Sequence, residues 1–290
     1  MYKRVEEFFR MMERKAPRKA SPAINKLKRI LKTFEKIIRY GSCDMFEHIF
    51  IDTFTACNRR CFYCPNSKFE RGLIENLRIM EEGLFYKVID ELAELRWRGE
   101  ICPSFYGEPL LDERLPDLIM YARSKLTAST VNIFTNGDFL TLELYKKLVK
   151  VGVNVFTLTQ HPGSPSPFIE DILKYRKEHG DDNVAFYYRK LPVMNNRLGL
   201  VEAREEVRKI CEIIDEKKVG IHWDGEVIFC CNDYFLTIKV GNIKNEKLID
   251  IWNKPWYKQI RKELRRGIFG SEICRKCKYV KVPGNESLFQ

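Results

Sequence analysis

The sequence predicts an α/β fold built on a parallel β-sheet, because two kinds of segment alternate between about residues 46 and 200. Amphipathic stretches such as EEGLFYKVIDELAEL and LTLELYKKLVKVG have helical spacing. The short apolar runs between them are typical of buried strands, and in chain order they are HIFIDTF, ICPSFYG, TVNIFTNG, NVFTLTQ and NVAFYYRKL. Barrels of this class carry their chemistry in the loops that follow the carboxyl ends of the strands.

The segment before the first strand predicts two amphipathic helices separated by the helix breaker Ser21-Pro22. Apolar residues recur at helical spacing on both sides of the breaker: Val5, Phe8, Phe9 and Met12 before it, and Ile24, Leu27, Ile30, Leu31, Phe34 and Ile38 after it. Residues 1–45 also carry 13 Lys and Arg against 5 Asp and Glu, which is most of the net charge of +11. Such a charge fits either an anionic partner or a solvated helix face.

Beyond about Glu205 the alternation fades and a cysteine-bearing region begins. Its pattern predicts a hairpin at Ile221–Cys231 and a helical stretch, EKLIDIWNKPWYKQIRKELRR. This region has few apolar residues for an independent hydrophobic core, so a bound metal would help to stabilise its fold. We therefore predict a basic helical extension at 1–45, a main α/β domain at 46–204 and a small domain at 205–290.

Composition indicates a folded chain in a reducing compartment. The 290 residues are 44% hydrophobic, which is enough for a packed core. No stretch approaches the roughly 18 uninterrupted apolar residues of a membrane span, and the basic start MYKRVEEFFRMMERK lacks the apolar run of a signal peptide. A cytoplasmic location is expected, where the 10 cysteines favour metal binding or catalysis over disulfides.

Three cysteines follow the first predicted strand in a short loop: Cys57, Cys61 and Cys64. Three thiolate ligands leave one iron of a four-iron cluster open, and an open metal position can bind a substrate or cosubstrate. The alternative is a zinc site, which would need a fourth ligand, and His48 is the only candidate close by in sequence.

The three-then-two spacing, with the aromatic Tyr63 before the last cysteine, resembles the signature of the radical S-adenosylmethionine (SAM) superfamily. This resemblance implies a partial (β/α)6 TIM-like barrel and a [4Fe-4S] cluster whose open iron is chelated by SAM. It also implies cleavage of SAM to a 5′-deoxyadenosyl radical that abstracts a hydrogen atom.

Further motifs in the expected order extend the resemblance. Gly107-Glu108-Pro109 after the second strand resembles the family's Gly-Gly-Glu-Pro element, which binds the SAM amino group, although Tyr106 stands where that element has its first glycine. The resemblance further implies SAM contacts from Tyr63 and from residues that end the next strands: Asn136, Gln160 and Arg189.

A second cysteine group consists of Cys211, Cys230, Cys274 and Cys277. From spacing alone it indicates a four-thiolate site for zinc or an iron–sulfur cluster. The group resembles the SPASM/twitch extension of radical SAM enzymes. No cysteine follows Cys277, so the shorter twitch form is expected, with one auxiliary [4Fe-4S] cluster that relays an electron. This arrangement is similar to that of aminocyclitol dehydrogenases.

Three residues are candidates for proton or hydrogen-atom transfer. Cys231 directly follows a predicted cluster ligand and could donate a hydrogen atom to a substrate radical, or it could be idle. Asp233 and His161 are alternative proton acceptors, and histidine is suited to proton transfer near neutral pH. The remaining cysteines, Cys43 and Cys102, are interpreted as idle or packed thiols.

The expected reaction is oxidation or epimerisation of a small polar, possibly anionic, substrate such as a sugar, aminocyclitol or nucleotide-linked compound, with a flavodoxin or ferredoxin as reductant. A peptide or protein substrate is the alternative, although peptide-modifying relatives often carry a mixed strand-and-helix leader-binding domain. A third hypothesis treats the basic helices as an RNA-binding arm, which would predict a steep loss of affinity with added salt.

Overall fold

The computed structural model describes residues 22–160, 166–180, 183–190, 193–202, 211, 217–277 and 279–281. The chain divides into two compact units, Met1–Met45 and Phe46–Gln290. In the first unit, helix α1 spans Pro22–Tyr40, which confirms the second of the two predicted amino-terminal helices. The first predicted helix lies outside the described residues.

The second unit is organised around an eight-stranded sheet. Its strands are β1 (His48–Ile51), β2 (Glu100–Cys102), β3 (Thr130–Thr135), β4 (Val155–Gln160), β5 (Ala185–Lys190), β7 (Lys218–Ile221), β8 (Glu226–Ile228) and β9 (Lys239–Asn242). The first five coincide with the five predicted apolar runs. A separate antiparallel pair joins β6 (Val193–Asn195) to β10 (Tyr279–Lys281).

The spatial order of the large sheet is β5-β4-β3-β2-β1-β7-β8-β9. Strands β1 to β5 are parallel to their neighbours, and β7 is parallel to β1. The α/β class and a sheet with six parallel strands are therefore confirmed. The sixth parallel strand lies beside β1 and not beside β5, so β5 and β9 remain at opposite edges and the described sheet is open.

Strands β7, β8 and β9 come from the region in which the sequence predicts a separate small domain. The antiparallel pairing of β7 with β8 confirms the predicted hairpin. These three strands continue the main sheet, and Phe46–Gln290 forms one compact unit. The domain boundary near residue 205 stays a prediction.

Seven helices of the second unit are described: α2 (Glu82–Glu94), α3 (Leu115–Lys125), α4 (Leu142–Val151), α5 (Ile169–His179), α6 (Leu248–Trp252), α7 (Pro255–Arg265) and α8 (Glu272–Lys276). The stretch predicted as one carboxyl-terminal helix is two helices, α6 and α7. Pro255 separates them, because proline fits the first turn of a helix and not its interior. None of the described helices is both long and apolar enough to cross a membrane.

One face of the sheet packs against helices through fully buried apolar side chains. Ile133, Phe156 and Leu158 meet Tyr145 and Leu148 of α4 in this core. Helix α4 begins with the hydroxyl of Thr141 accepting the Leu144 N–H and ends at Gly152, whose φ of 107° is left-handed. The packed core fixes the ends of the parallel strands, where the loops with the predicted site residues begin.

Candidate active site

The predicted site residues lie in loops that follow the carboxyl ends of parallel strands. The loop after β1 carries the first cysteine group, and the loop after β2 carries Tyr106, Gly107 and Glu108. Asn136 directly follows β3. Because neighbouring parallel strands end at the same edge of a sheet, these three loops come together there.

The first cysteine group is held by backbone hydrogen bonds of its own loop. The Cys57 N–H donates to the carbonyl of Gly72 at 3.0 Å, and the Cys64 N–H donates to the carbonyl of Cys61 at 2.8 Å. A 3-10 turn, Pro65–Ser67, follows at once. All three cysteines are half-buried, and none of them forms a disulfide.

The electrostatics of this loop fit a bound iron–sulfur cluster. The pKa of Cys57 is raised to about 12, chiefly by burial and to a smaller extent by the nearby Glu108, Cys64 and Cys61. Burial also raises the pKa of Cys64. Thiolates so close together in a half-buried loop need a compensating cation, and iron would supply it. No group of described His, Cys, Asp and Glu residues is arranged around a single metal ion.

Tyr63 lies against the second of these cysteines. Its side chain hydrogen-bonds Cys61, and burial is the largest cause of the raised pKa of the Tyr63 phenol. This contact favours a role for Tyr63 in holding the loop. The predicted contact of Tyr63 with SAM stays a prediction.

Gly107 lies where the loop after β2 crosses the loop after β1. A Cβ atom on Gly107 would collide with the carbonyl oxygen of Phe54 and lie 2.9 Å from its carbonyl carbon. The adjacent Glu108 N–H donates to the carbonyl of Ala56 at 2.8 Å, one residue before Cys57. Only glycine permits this approach, so the sequence Gly107-Glu108 fixes the start of the cysteine loop against β2.

Glu108 is fully buried and joins β2 to β3. Its Oε1 accepts from the Thr135 hydroxyl at 2.6 Å and the Leu110 N–H at 3.2 Å, and its Oε2 accepts from the Asn136 N–H at 2.9 Å. Burial outweighs these hydrogen bonds and raises the pKa of Glu108 to about 7. Pro109 starts the 3-10 turn that follows. The contacts of Glu108 favour an ordering role for its carboxylate.

A polar network that sequence reasoning missed ties the cysteine loop to the end of β3. Asp138 accepts two hydrogen bonds from the Arg59 guanidinium, at 2.7 Å from Nε and 2.5 Å from Nη2, and one from Asn58 at 2.6 Å. The Asn136 side-chain amide donates to Asn58 Oδ1 at 2.8 Å, and Asn136 Oδ1 accepts the Asp138 N–H at 2.9 Å. The position of Asp138, two residues after the predicted SAM contact Asn136, was the available signal.

The members of the second cysteine group come from three parts of the chain. Cys230 hydrogen-bonds Cys231, and this contact, followed by burial, raises the Cys230 pKa well above its ordinary value, with a smaller contribution from Cys211. Cys274 lies on α8, and its N–H donates to the Ser271 hydroxyl at 3.3 Å. The Cys277 N–H donates to the carbonyl of Cys274 at 3.4 Å.

The turn Asn196–Gly199 connects these parts. The Asn196 side chain donates to the carbonyl of Lys276 at 2.8 Å, next to Cys277. Arg197 Nη1 donates to the side chain of Asn232 at 2.8 Å, two residues after Cys230. The turn therefore holds the α8 segment and the segment after β8 in a fixed relation, as a four-thiolate site requires.

The other predicted residues have different surroundings. Gln160 donates to the carbonyl of Tyr188 at 3.3 Å. The backbone of Arg189 pairs with Thr159, but its side chain lies outside the described part of the structure, and so does His161. Asp233 is buried, and its carboxylate accepts from the Thr237 hydroxyl at 3.0 Å and the Ile238 N–H at 3.0 Å. These contacts favour a turn-stabilising role for Asp233.

Buried polar residues after β1 and β7 are a further feature that the sequence did not reveal. Asp52 Oδ2 lies 2.9 Å from Arg71 Nη2 and 3.7 Å from His222 Nε2, and His222 Nδ1 contacts Asp224 at 2.9 Å. Burial raises the pKa of Asp52, although Arg71 and His222 oppose this. Arg71 also donates to the carbonyl of Tyr234 at 2.6 Å, which joins β1 to the segment after β8.

Comparison with known proteins identifies both cysteine regions. A sequence model of the radical SAM superfamily matches residues 51–214, and one of the SPASM iron–sulfur cluster-binding domain matches residues 211–278. The chain is 29% identical over 245 residues to the S-adenosyl-L-methionine-dependent 2-deoxy-scyllo-inosamine dehydrogenase of Niallia circulans, covering 83% of this chain and 96% of that protein. It is 21% identical over 301 residues to the tungsten-containing aldehyde ferredoxin oxidoreductase cofactor-modifying protein of Pyrococcus furiosus, covering 74% and 83% respectively.

Solved structures agree with these relatives. The crystal structure of BtrN in complex with AdoMet and 2-DOIA has a TM-score of 0.71 and 28% identity, over 80% of this chain and 93% of that chain. The structure of anSMEcpe with bound AdoMet has a TM-score of 0.53 and 12% identity, over 79% of this chain and 90% of that chain, and shows a likeness of fold alone.

The matches confirm the predicted SAM and [4Fe-4S] cofactors and the presence of an iron–sulfur domain after the barrel. The superfamily model spans more than half of the chain and includes the loop of Cys57, Cys61 and Cys64. This chain therefore belongs to the radical SAM superfamily, as an enzyme with a carboxyl-terminal SPASM iron–sulfur domain.

Proposed function

We propose that this enzyme is a dehydrogenase that oxidises a carbinol C–H of a small, polar ring compound, an aminocyclitol or a sugar, to a ketone. The observation that carries the proposal is the match to the 2-deoxy-scyllo-inosamine dehydrogenase, which extends over 96% of that protein. The likeness to BtrN with AdoMet and 2-DOIA, over 80% of this chain, supports it.

The two cysteine groups have separate roles in this proposal. Cys57, Cys61 and Cys64 hold the cluster that binds SAM, and the second group holds one auxiliary cluster through Cys211, Cys230, Cys274 and Cys277. When bound, these groups supply a hydrogen-abstracting 5′-deoxyadenosyl radical at the first site and an acceptor for one electron at the second. Oxidation of one alcohol to one ketone then consumes one SAM and releases one proton.

The protein's own residues order the SAM site around the cysteine loop. Gly107 allows the close approach of the two loops, and Glu108 fixes the ends of β2 and β3. We infer that Asn136, Gln160 and Arg189 contact SAM.

Removal of the hydroxyl proton needs a base on the chain. His161, the residue after the last residue of β4, is the proposed base, because the carboxylate of Asp233 already accepts hydrogen bonds within its own turn. A flavodoxin or ferredoxin in the cytoplasm is the proposed reductant, because the first site needs a low-potential electron.

The test is turnover by anaerobically reconstituted enzyme with SAM, dithionite and 2-deoxy-scyllo-inosamine, alongside a panel of aminocyclitols and sugars. We expect mass spectrometry to show 5′-deoxyadenosine and a product two mass units lighter than one panel member, in equal amounts. Formation of 5′-deoxyadenosine without any lighter product, in every member of the panel, would contradict a dehydrogenase of this class.

Epimerisation is the second candidate because Cys231 hydrogen-bonds Cys230 beside the proposed auxiliary site. Reaction in D₂O distinguishes the two functions. An epimerase would form an isomer of the substrate that carries one deuterium atom on carbon, whereas a dehydrogenase would form the ketone. The matched variants are Cys231→Ala and Cys43→Ala, since Cys43 is an exposed thiol in the other compact unit. A dehydrogenase retains ketone formation in both variants, whereas an epimerase loses product only in Cys231→Ala.

A further inference from the structure

Tyr106 connects the loops of the two cysteine groups. Its carbonyl oxygen accepts from the Asn66 side chain at 3.0 Å, two residues after Cys64. Its hydroxyl donates to the carbonyl of Cys231 at 2.6 Å. The side chain is buried, and it occupies the place where the family's motif has a glycine. A glycine could make the first of these contacts but not the second.

Tyr234 strengthens the same connection from the other direction. Its hydroxyl donates to the Asn66 side chain at 2.8 Å, and its ring centroid lies 4.9 Å from that of Tyr106 in an edge-to-face arrangement. Two tyrosines therefore join the turn after Cys64 to the segment after Cys230. The separation of the two cysteine groups is fixed by side chains with few rotatable bonds.

Arg197 places a positive charge at this junction. Its guanidinium carbon lies 5.6 Å from the centroid of the Tyr106 ring, and Nη1 donates to Asn232 at 2.8 Å. The Asn232 N–H in turn donates to the sulfur of Cys230 at 3.4 Å. A single chain of contacts thus runs from the guanidinium to a proposed cluster ligand.

The acidic groups around Arg197 belong to both cysteine sites. Burial lowers the pKa of Arg197, but the Tyr106 phenol and the thiols of Cys231, Cys64 and Cys230 outweigh burial and raise it. The guanidinium therefore stays charged, and it is within electrostatic range of a cysteine from each group.

The backbone that carries Arg197 is strained. Arg197, Leu198 and Gly199 have φ values of 44°, 59° and 91°, so two residues with a Cβ adopt the left-handed region. Such a conformation costs free energy and persists only where surrounding contacts impose it, most often at functional sites. Here the contacts are those of Asn196 with Lys276 and of Arg197 with Asn232.

We propose that Tyr106 and Arg197 bridge the two cluster sites, and that the Arg197 charge raises the reduction potential of the auxiliary cluster so that it accepts an electron from the substrate radical. The cluster becomes more negative by one charge on reduction, and a nearby cation in a buried environment stabilises that state. The electron leaves the substrate radical as the alcohol carbon becomes a ketone carbon. The assignment of an electron acceptor rests on the proposed function.

The test measures the auxiliary cluster alone, without SAM or substrate. In a background of Cys57→Ala, Cys61→Ala and Cys64→Ala, electron paramagnetic resonance during a redox titration gives the midpoint potential of the second site. Added to this background, Arg197→Gln is expected to make reduction about tenfold less favourable, a shift of about 59 mV to lower potential.

Three further variants separate charge from structure. Arg197→Lys keeps the charge and is expected to recover most of the shift, and Tyr106→Phe is expected to lower the potential less than Arg197→Gln does. Arg275→Gln is the matched control, because Arg275 is exposed next to Cys274 and its charge is screened by solvent. Its potential is expected to stay near that of the background protein.

The outcomes decide the proposal without reference to turnover. An unchanged potential in Arg197→Gln with about four irons retained would overturn it, and so would an equal shift in Arg275→Gln. If Arg197→Gln does not hold iron, the proposal stands only if Arg197→Lys keeps a potential near that of the background protein and Tyr106→Phe lowers it. Loss of iron from Arg197→Gln, Arg197→Lys and Tyr106→Phe alike would overturn the proposal, because the bridge would then be purely structural. The titration contains no substrate. Its result therefore does not depend on whether the proposed dehydrogenase reaction takes place.

Discussion

Replacement of Gly107 by alanine is expected to disrupt the loop crossing at the SAM site. The added Cβ collides with the carbonyl oxygen of Phe54 and lies 3.1 Å from the carbonyl oxygen of Ala56, so one loop must move by about 1 Å. Overpacking of this kind costs about 1–3 kcal/mol, and loss of the hydrogen bond from Glu108 to Ala56 adds about 1 kcal/mol. We expect a total of about 2–4 kcal/mol.

The control for this change is Gly83→Ala. Gly83 lies in the first turn of α2, where an added Cβ meets nothing within 4 Å, so the same chemical change is expected to stabilise the helix by about 0.5–1 kcal/mol. Thermal unfolding of reconstituted protein under anaerobic conditions measures both, at about 2–4 °C per kcal/mol for a chain of this size. Isothermal titration calorimetry with SAM should show lost affinity only in Gly107→Ala. A melting temperature and a SAM affinity equal to wild type in Gly107→Ala would refute the steric argument.

Three other changes test the site. Burial raises the pKa of Glu108 to about 7 from an ordinary 4.5. The free energy of unfolding that Glu108 contributes is therefore full below about pH 4.5, and it falls by about 3 kcal/mol as the pH rises through 7. Glu108→Gln should remove this part of the pH dependence of unfolding. Asp138→Asn removes the charged partner of Arg59 and should weaken SAM binding by about 1–3 kcal/mol, measured by calorimetry, while the iron content is unchanged. Combined Cys57→Ala, Cys61→Ala and Cys64→Ala should leave about four of about eight irons and abolish SAM cleavage; loss of all iron, or retained cleavage, would contradict two separate clusters.

The strands and the first cysteine group were predictable because their signals are local in sequence. The apolar runs of β1 to β5 and the spacing of Cys57, Cys61 and Cys64 each lie within a few residues. The placement of β7 was not predictable, because no local feature of Lys218–Ile221 specifies β1 as its partner. Both β1 and β5 are open edges after β1 to β5 have formed, and the choice between them is a property of the whole fold.

The supporting residues of the site were hidden for a related reason. Asp138 and Arg197 are ordinary charged residues in the sequence, and their roles arise from partners 79 and 35 positions away. Tyr106 was noticed as a departure from the family's motif, but its meaning required the position of Cys231. Contacts between segments that are distant in sequence leave no periodic pattern in the sequence. Motifs therefore identify cluster ligands more readily than the side chains that position those ligands.

The position of the carboxyl-terminal region relative to the SAM site follows from the pairing of β7 with β1. That pairing continues past β1 through the Asp52 N–H, which donates to the carbonyl of Ile221 at 2.9 Å, and so brings His222 beside the buried Asp52. Arg71 then links Asp52 to the carbonyl of Tyr234, with its guanidinium carbon 5.0 Å from the Tyr234 ring centroid. Removing one partner of a buried ion pair leaves an uncompensated charge and costs about 3–5 kcal/mol, so these contacts resist separation. These contacts hold the segments of the two cysteine groups together, as the proposed transfer of an electron from the substrate radical to the auxiliary cluster requires.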